Sequence, residues 1–288
     1  MYMRADAVLC RVKPSRNRPV KTTQTSLELL EVIKDLEGAT ISDLTATTGL
    51  ARSTAHNHLQ TLLEMGYVVR ENNTYYVGLW LFHLGQHSRT RKRAYEYGKR
   101  AVQRLADVTD KVAVFGVEEN GRLINLFHEG GDASGSESEL GEYSHLHCTA
   151  AGKAILAALP EERRDDVLET HGLPARTEET ITDRQALEAA LETVREREYA
   201  MENGERVPGY KAVGTALQYP DGRVFGGVAI GGPTDLLNRQ RTEKERQRRA
   251  IGGDAYTLED DLDEATLSHL FEVAEDVEAD LASDVSNS

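Results

Sequence analysis

No apolar run in this chain approaches the roughly 20 residues that a membrane-spanning helix needs, so a membrane protein is not expected. The N-terminus carries basic residues without an apolar core followed by a small-residue cleavage site, which argues against a secretory leader and for a cytoplasmic location. Cysteine is nearly missing. The two present, Cys10 and Cys148, lie far apart and suggest neither a disulfide framework nor a thiolate metal site. Lysine is scarce too, at 9 of 34 basic residues, and with a net charge of −14 this is the composition of a protein from a high-salt, halophilic cytoplasm. High salt weakens phosphate contacts through counterion release, so base and shape contacts gain relative weight in any nucleic-acid binding.

The acid excess is unevenly placed. Residues 1 to 100 hold 15 Lys and Arg against 9 Asp and Glu, a net +6; of the chain's 34 basic and 48 acidic residues this leaves 19 against 39, a net −20, for the remainder. At 288 residues the chain is long enough for two domains. The asymmetry fits a nucleic-acid module joined to an acidic one that favours solubility and repels DNA outside the intended contact.

Residues 1 to 21 combine Arg4, Arg11, Lys13, Arg16, Arg18 and Lys21 with two prolines and no helical period, and read as a disordered basic arm, solvated or touching phosphates. Thr25 and Glu28 have the spacing of a capping box and predict a helix start, with Leu27, Leu30, Ile33 and Leu36 as its stripe. Thr40 and Asp43 repeat the signal for a short second helix ending at Gly49. A third helix from Arg52 turns Ala55, Leu59, Leu62 and Leu63 inward and Arg52, Ser53, Asn57, Gln60 and Thr61 outward. After Gly66, Tyr67 to Arg70 and Tyr75 to Gly78 alternate around a polar tip, Glu71 to Thr74, and predict a two-stranded wing. Three helices and a wing make a winged helix-turn-helix over 22–79. Near the start of the third helix, Ser53 and Thr54 can donate to phosphates, Arg52 reach guanine or phosphate, and Asn57 pair with an adenine edge. His56 shares that face. Arg70, Asn72, Asn73 and Thr74 are the wing's candidate contacts.

A long helical pattern over 80–110, with basic residues Arg89, Arg91, Lys92 and Arg93, reads as a linker helix that continues or kinks. Beyond it, strands at Val112 to Val117 and Leu123 to His128, helices from His147, Glu161 and Asp183, strands at Lys211 to Tyr219 and Arg223 to Gly231, and a last helix from Glu264 to Leu281 predict an α+β domain over 111–282. Residues 238 to 261 read as a charged, solvated connector, and 283–288 as a disordered tail.

At this point a resemblance is specific. Arg52-Ser53-Thr54-Ala55-His56, Leu59-Gln60-Thr61-Leu62, Gly66-Tyr67, and His147-Cys148-Thr149-Ala150-Ala151-Gly152-Lys153-Ala154, with Gly226 to Pro233 later, resemble the IclR family of transcriptional regulators, haloarchaeal members in particular. The resemblance covers roughly residues 22 to 237. His58 departs from it, standing where family members usually carry an apolar residue.

The resemblance implies a GAF-like effector-binding domain and a linker that helps pair two heads. It implies a sequence-specific regulator that binds double-stranded operator DNA as a dimer or dimer of dimers. Its DNA binding would be modulated by a small organic-acid or sugar-derived effector. Carried over by motif position, the effector contacts are Ala150, Ala151, Glu202, Ala212, Ala229 and Gly231. The last three depart from a common pattern of small polar residues, and tight helix–sheet packing explains all six equally well.

His145, His147 and Cys148 lack a fourth ligand at recognisable spacing, and His83 with His87 is commoner as a packed or exposed helical pair than as a metal site. No cofactor, metal or catalytic residue is expected. One alternative is a GAF-like thiol or redox enzyme using Cys148 beside His147; another is a ligand-independent DNA-binding protein.

Overall fold

The computed structural model describes residues 20–130, 140–234 and 264–286, so the basic arm up to residue 19 and the charged connector lie outside the described residues. The chain divides into two compact units, Met1–Arg93 and Ala94–Ser288.

The first unit opens with α1 (Lys21–Asp35), α2 (Ile41–Thr48) and α3 (Arg52–Glu64). The expected start at Thr25 is corrected: α1 begins four residues earlier, after Val20, with no side-chain cap. No proline or glycine interrupts residues 20 to 25, and Gln24 N already donates to Val20 O at 3.1 Å, so Thr25 sits inside the helix and cannot cap it. The second capping box does form. Thr40 Oγ1 accepts from Asp43 N at 3.3 Å while the Asp43 carboxylate accepts from Thr40 N at 2.9 Å, and Gly49 closes α2 in the left-handed region at φ 70. Strands β1 (Val68–Glu71) and β2 (Thr74–Val77) pair from Val68↔Val77 to Glu71↔Thr74 around Asn72-Asn73. Ala39 exchanges two backbone hydrogen bonds with Tyr75, so the α1–α2 turn forms a third rung beside the wing. Leu29, Ile33, Leu44, Leu59, Val68 and Tyr75 close the small core.

The linker helix expected over 80–110, continuous or kinked, is interrupted: it forms two helices, α4 (Trp80–Thr90) and α5 (Tyr95–Thr109). None of the α4 residues is buried, and Leu79 and Phe82 are 86% and 66% exposed. Helix α5 belongs instead to the second unit, where Tyr95, Ala101, Val102 and Leu105 enter the core.

That second unit is built on an antiparallel sheet of β3 (Val112–Glu119), β4 (Arg122–Glu129), β5 (Tyr143–His145), β6 (Ala200–Asn203), β7 (Tyr210–Gln218) and β8 (Val224–Pro233), in the order β5-β4-β3-β8-β7-β6. Strand alternation sorts its side chains into two cores. Ala113, Phe115, Val213, Leu217, Val228 and Ile230 meet α5 and the last helix, α9 (Glu264–Ser286). On the other face Val114, Ala212, Ala216 and Ala229 meet α6 (Ala150–Ala158) and α8 (Arg184–Arg197), with α7 (Glu161–His171) alongside. The disordered tail expected over 283–288 is corrected for residues 283–286, where α9 runs on to Ser286 with hydroxyl bonds from Ser283 to Ala279 O and Ser286 to Ala282 O; residues 287–288 lie outside the described residues.

Candidate functional site

On α3 the buried Ala55, Leu59 and Leu62 fix the helix to its neighbours and turn Arg52, Ser53, Thr54, His56 and Asn57 to solvent. The N-cap is Ala51, which offers no side-chain oxygen, so the first amides of the helix carry no side-chain cap. That is the arrangement in which a helix N-terminus receives a phosphate. At the wing, Arg70 donates from Nε to Asn72 O at 2.8 Å and from a terminal nitrogen to Asn73 Oδ1 at 2.9 Å, and its guanidinium lies 5.5 Å from the Tyr75 ring centre. Asn72 turns the hairpin at φ 55, a conformation asparagine tolerates. The three wing residues therefore form one stiffened tip. His58 is half-buried, with Nδ1 2.7 Å from Ser26 Oγ; the odd residue of the reading helix is a polar strut to α1 and not part of the outward face.

In the second unit, all six residues expected at the effector site line a single cavity of about 30 Å³. Cross-strand register explains the grouping. Glu202 faces Ala212, Ala212 faces Gly231 and Gly231 faces Val112, so one row runs across four strands; Ala229 lies in the next row between Gly214 and Val114. The start of α6 roofs these rows. A Cβ at Gly214 would come within 2.9 Å of Ala151 N, and one at Gly152 within 2.3 Å of Leu146 O, so glycine at both positions permits the close approach. Thr149 caps α6 by accepting from Gly152 N at 3.0 Å, leaving Ala150 and Ala151 ahead of the first intrahelical bonds.

Asn125, Ser144, Thr149, Arg206 and Tyr210 also line the cavity and were not anticipated. Arg206 and Tyr210 follow Glu202 closely in sequence, but it is the turn between β6 and β7 that brings them to the cavity. Asn125 and Ser144 carried no signal, since only the fold brings their strands beside α6.

The polar end of the cavity is unusual. Glu202 is 3% exposed and, among the described residues, its Oε1 has no hydrogen-bond partner. Burial pushes its carboxyl up to about 7, with Arg206 pulling the other way. Tyr210 is pushed up to about 12, again by burial, and stays a phenol. The turn that carries Arg206 is held firmly. Lys153 pairs with Glu205 in the interior, and the hydroxyls of Thr177 and Thr180 donate to Gly204 O at 2.8 Å and Glu205 O at 2.6 Å.

The His145, His147 and Cys148 group sits beside this cavity in a different chemical state from an activated thiol. Burial raises the Cys148 thiol to about 12 and lowers His145 to about 3 and His147 to about 4. Both rings are therefore neutral at pH 7. His147 Nε2 is 3.2 Å from Pro174 O and His145 Nε2 is 3.1 Å from Arg122, so each ring is used in packing the turn before α6. His83, on α4, stacks on Trp80 with ring centres 4.8 Å apart.

A helix-turn-helix head with a wing, followed by a separate α+β unit with a cavity under its α6, is the architecture of a transcriptional regulator. Residues 24–72 match the IclR helix-turn-helix domain and residues 90–251 match the bacterial transcriptional regulator IclR C-terminal family. The chain belongs to the IclR family of transcriptional regulators. It is 29% identical over 229 residues to the "Probable HTH-type transcriptional regulator ArcR" of Halobacterium salinarum, covering 76% of this chain and 86% of that one. Among solved structures it shares its fold with Thermotoga maritima IclR, at TM-score 0.68 and 23% identity over 91% of this chain and 98% of that one. An IclR homologue from Microbacterium hydrocarbonoxydans, solved in complex with 4-hydroxybenzoate, matches at TM-score 0.68 and 20% identity over 90% and 97%.

Proposed function

We propose that this regulator recognises a pseudo-palindromic operator as a dimer or dimer of dimers and that a small organic acid in the second unit's cavity alters that recognition. Arg52, Ser53, Thr54, His56 and Asn57 read the groove, and Arg70, Asn72 and Asn73 hold the flanking backbone or minor groove. Ala150, Ala151, Glu202, Ala212, Ala229 and Gly231 receive the effector. The observation that carries this reading is the meeting of those six residues, drawn from four separate segments of chain, around one cavity. The 4-hydroxybenzoate complex of a protein with the same fold supports it.

Self-association is proposed through α4 and the Leu79 that precedes it: exposed Leu79, Trp80, Phe82 and Leu84 form an apolar surface that a second copy would cover. This divides the chain into a DNA-binding head to residue 79, the connecting α4, and a sensor from Ala94 to Ser286. The protein acts by binding and not by catalysis, in keeping with a Cys148 thiol that stays protonated. A cytoplasmic, high-salt setting accords with its composition.

The effector must bind one of two arrangements better than the other to change DNA affinity. Fluorescence anisotropy with an operator fragment, titrated with and without a panel of short carboxylates, tests this. A shift in DNA affinity with at least one acid is expected. An affinity indifferent to every member would overturn the effector reading.

A further inference from the structure

The sheet of the second unit is open along part of one edge. Strand β6 pairs with β7 only from Lys211 to Gly214, and upstream of Ala200 the chain belongs to the end of α8, where Glu198 O accepts from Thr215 Oγ1 at 2.7 Å. Among the described residues, Ala216 to Gln218 therefore have no strand beside them. Tyr210 O accepts from Gly204 N at 2.7 Å on the β6 side, and counting by twos along β7 puts the N–H and C=O of Ala216 on that same, uncovered side. The Thr215 hydroxyl approaches Ala216 O at 3.5 Å, the outer limit of a hydrogen bond. Further along, Gln218 N donates to Oε1 of Glu278 on α9 at 2.8 Å, so a side-chain carboxylate stands where the carbonyl of a neighbouring strand would.

This edge is the floor of a groove of about 500 Å³, walled by α6 and α8 on one side and by α9 on the other. The α6 wall is made of Ala154, Ala157 and Ala158, which leave room for the side chains of an added strand. Charge is one-sided. Glu198, Glu275 and Glu278 line the groove against the single cation Arg195, and that guanidinium is already engaged by Ala157 O at 3.1 Å and Glu192 Oε2 at 2.6 Å. Burial raises the Glu278 carboxyl; Gln218 N pulls it back, and Glu275 and Glu198 add to the rise.

We propose that the groove docks an extended, basic segment of a partner protein as an added strand beside β7. Main-chain bonds to Ala216 and Gln218 hold it, as in other peptides that extend an open sheet edge. Alternation sends every second side chain to the alanines of α6 and the others to the carboxylates of α9, so lysine or arginine alternates with apolar residues in the segment. Its carbonyl takes over Gln218 N, and the released Glu278 pairs with one of its cations. A second copy of this chain fits less well, because pairing edge to edge would set these carboxylates against their own counterparts.

A labelled Lys-Val-Lys-Val-Lys peptide, titrated into the full-length protein and followed by fluorescence anisotropy, tests this. It is expected to bind saturably, at least about tenfold tighter than the same peptide N-methylated at every residue, which keeps the charge and loses every backbone donor. Ala216→Pro removes an edge N–H where an edge strand tolerates proline, and should weaken binding about tenfold without lowering the melting temperature. Glu198→Lys with Glu275→Lys reverses the charge of the walls, should weaken binding as much, and carries the test if the proline variant fails to fold. Equal binding of the plain and N-methylated peptides would reduce the effect to charge attraction and overturn the proposal, as would binding indifferent to both variants, or no binding at all. A smaller mass for Ala216→Pro by light scattering would assign the edge to a second copy, and binding that appears only after removal of residues 1–19 would assign it to this chain's own basic arm; either result overturns the partner reading.

Discussion

Glu202 holds its proton to about pH 7 in the folded chain, against an ordinary value of 4.5, because burial penalises the ionised form. The folded-state value is raised, so the stability linked to this group is fully present below pH 4.5 and is lost as the pH rises through 7. A displacement of that size corresponds to about 3 kcal/mol at pH 8, at roughly 1.36 kcal/mol per pH unit. Replacing the carboxyl by its neutral isostere removes the penalty, though the amide leaves one polar atom incompletely bonded at a cost of about 1 kcal/mol. Glu202→Gln should therefore be about 2 kcal/mol more stable than the natural protein at pH 8, and the gain should vanish and reverse slightly towards pH 4.5. Urea denaturation of both proteins at pH 8, 6.5 and 5, in buffer free of carboxylic acids, measures the difference directly. A Glu202→Gln protein less stable than the natural one at pH 8, or a difference independent of pH, would refute the buried-acid account. Confirmation would mean that the site gives up folding stability to keep an acid ready for a ligand.

His147 carries the opposite dependence: its value is depressed to about 4, so its contribution is present above the ordinary 6.5 and is lost as the pH falls. His147→Gln, whose amide nitrogen stands in for Nε2 as a donor to Pro174 O, should flatten acid destabilisation by about 1.4 kcal/mol per pH unit between 6.5 and 4, measured by denaturant melts across that range. Lys153→Ala strands Glu205 in the interior and should cost about 3–5 kcal/mol at pH 7, read from the shift in denaturation midpoint. Leu79→Asp with Phe82→Asp should lower the mass seen by light scattering to that of a single chain, because a charged α4 no longer offers an apolar face.

The head was readable residue by residue because its signals are local. A capping box at Thr40 and Asp43, a glycine at the end of α2 and three apolar positions on α3 need no distant partner to have their effect. Thr25 failed as a start signal for the same reason in reverse: capping chemistry marks a helix end only where the preceding residues resist helix, and Lys21 to Gln24 do not. Periodicity left open whether the linker continues or kinks, because it cannot tell which core an apolar stripe enters, and α5 enters that of the second unit. At the cavity, Ala150, Ala151 and Glu202 came through resemblance. Arg206 needed the pinned turn between β6 and β7, and Asn125 and Ser144 needed the pairing of β4 with its neighbours, none of which a linear pattern carries.

The central claim is that α3 reads operator DNA. Mapping the genomic sites occupied in the source organism by the natural protein and by Arg52→Ala, Asn57→Ala tests it most directly. The account predicts discrete sites sharing an inverted repeat for the natural protein, and their disappearance in a variant that melts at the same temperature. An unchanged occupancy map in that folded variant would contradict it.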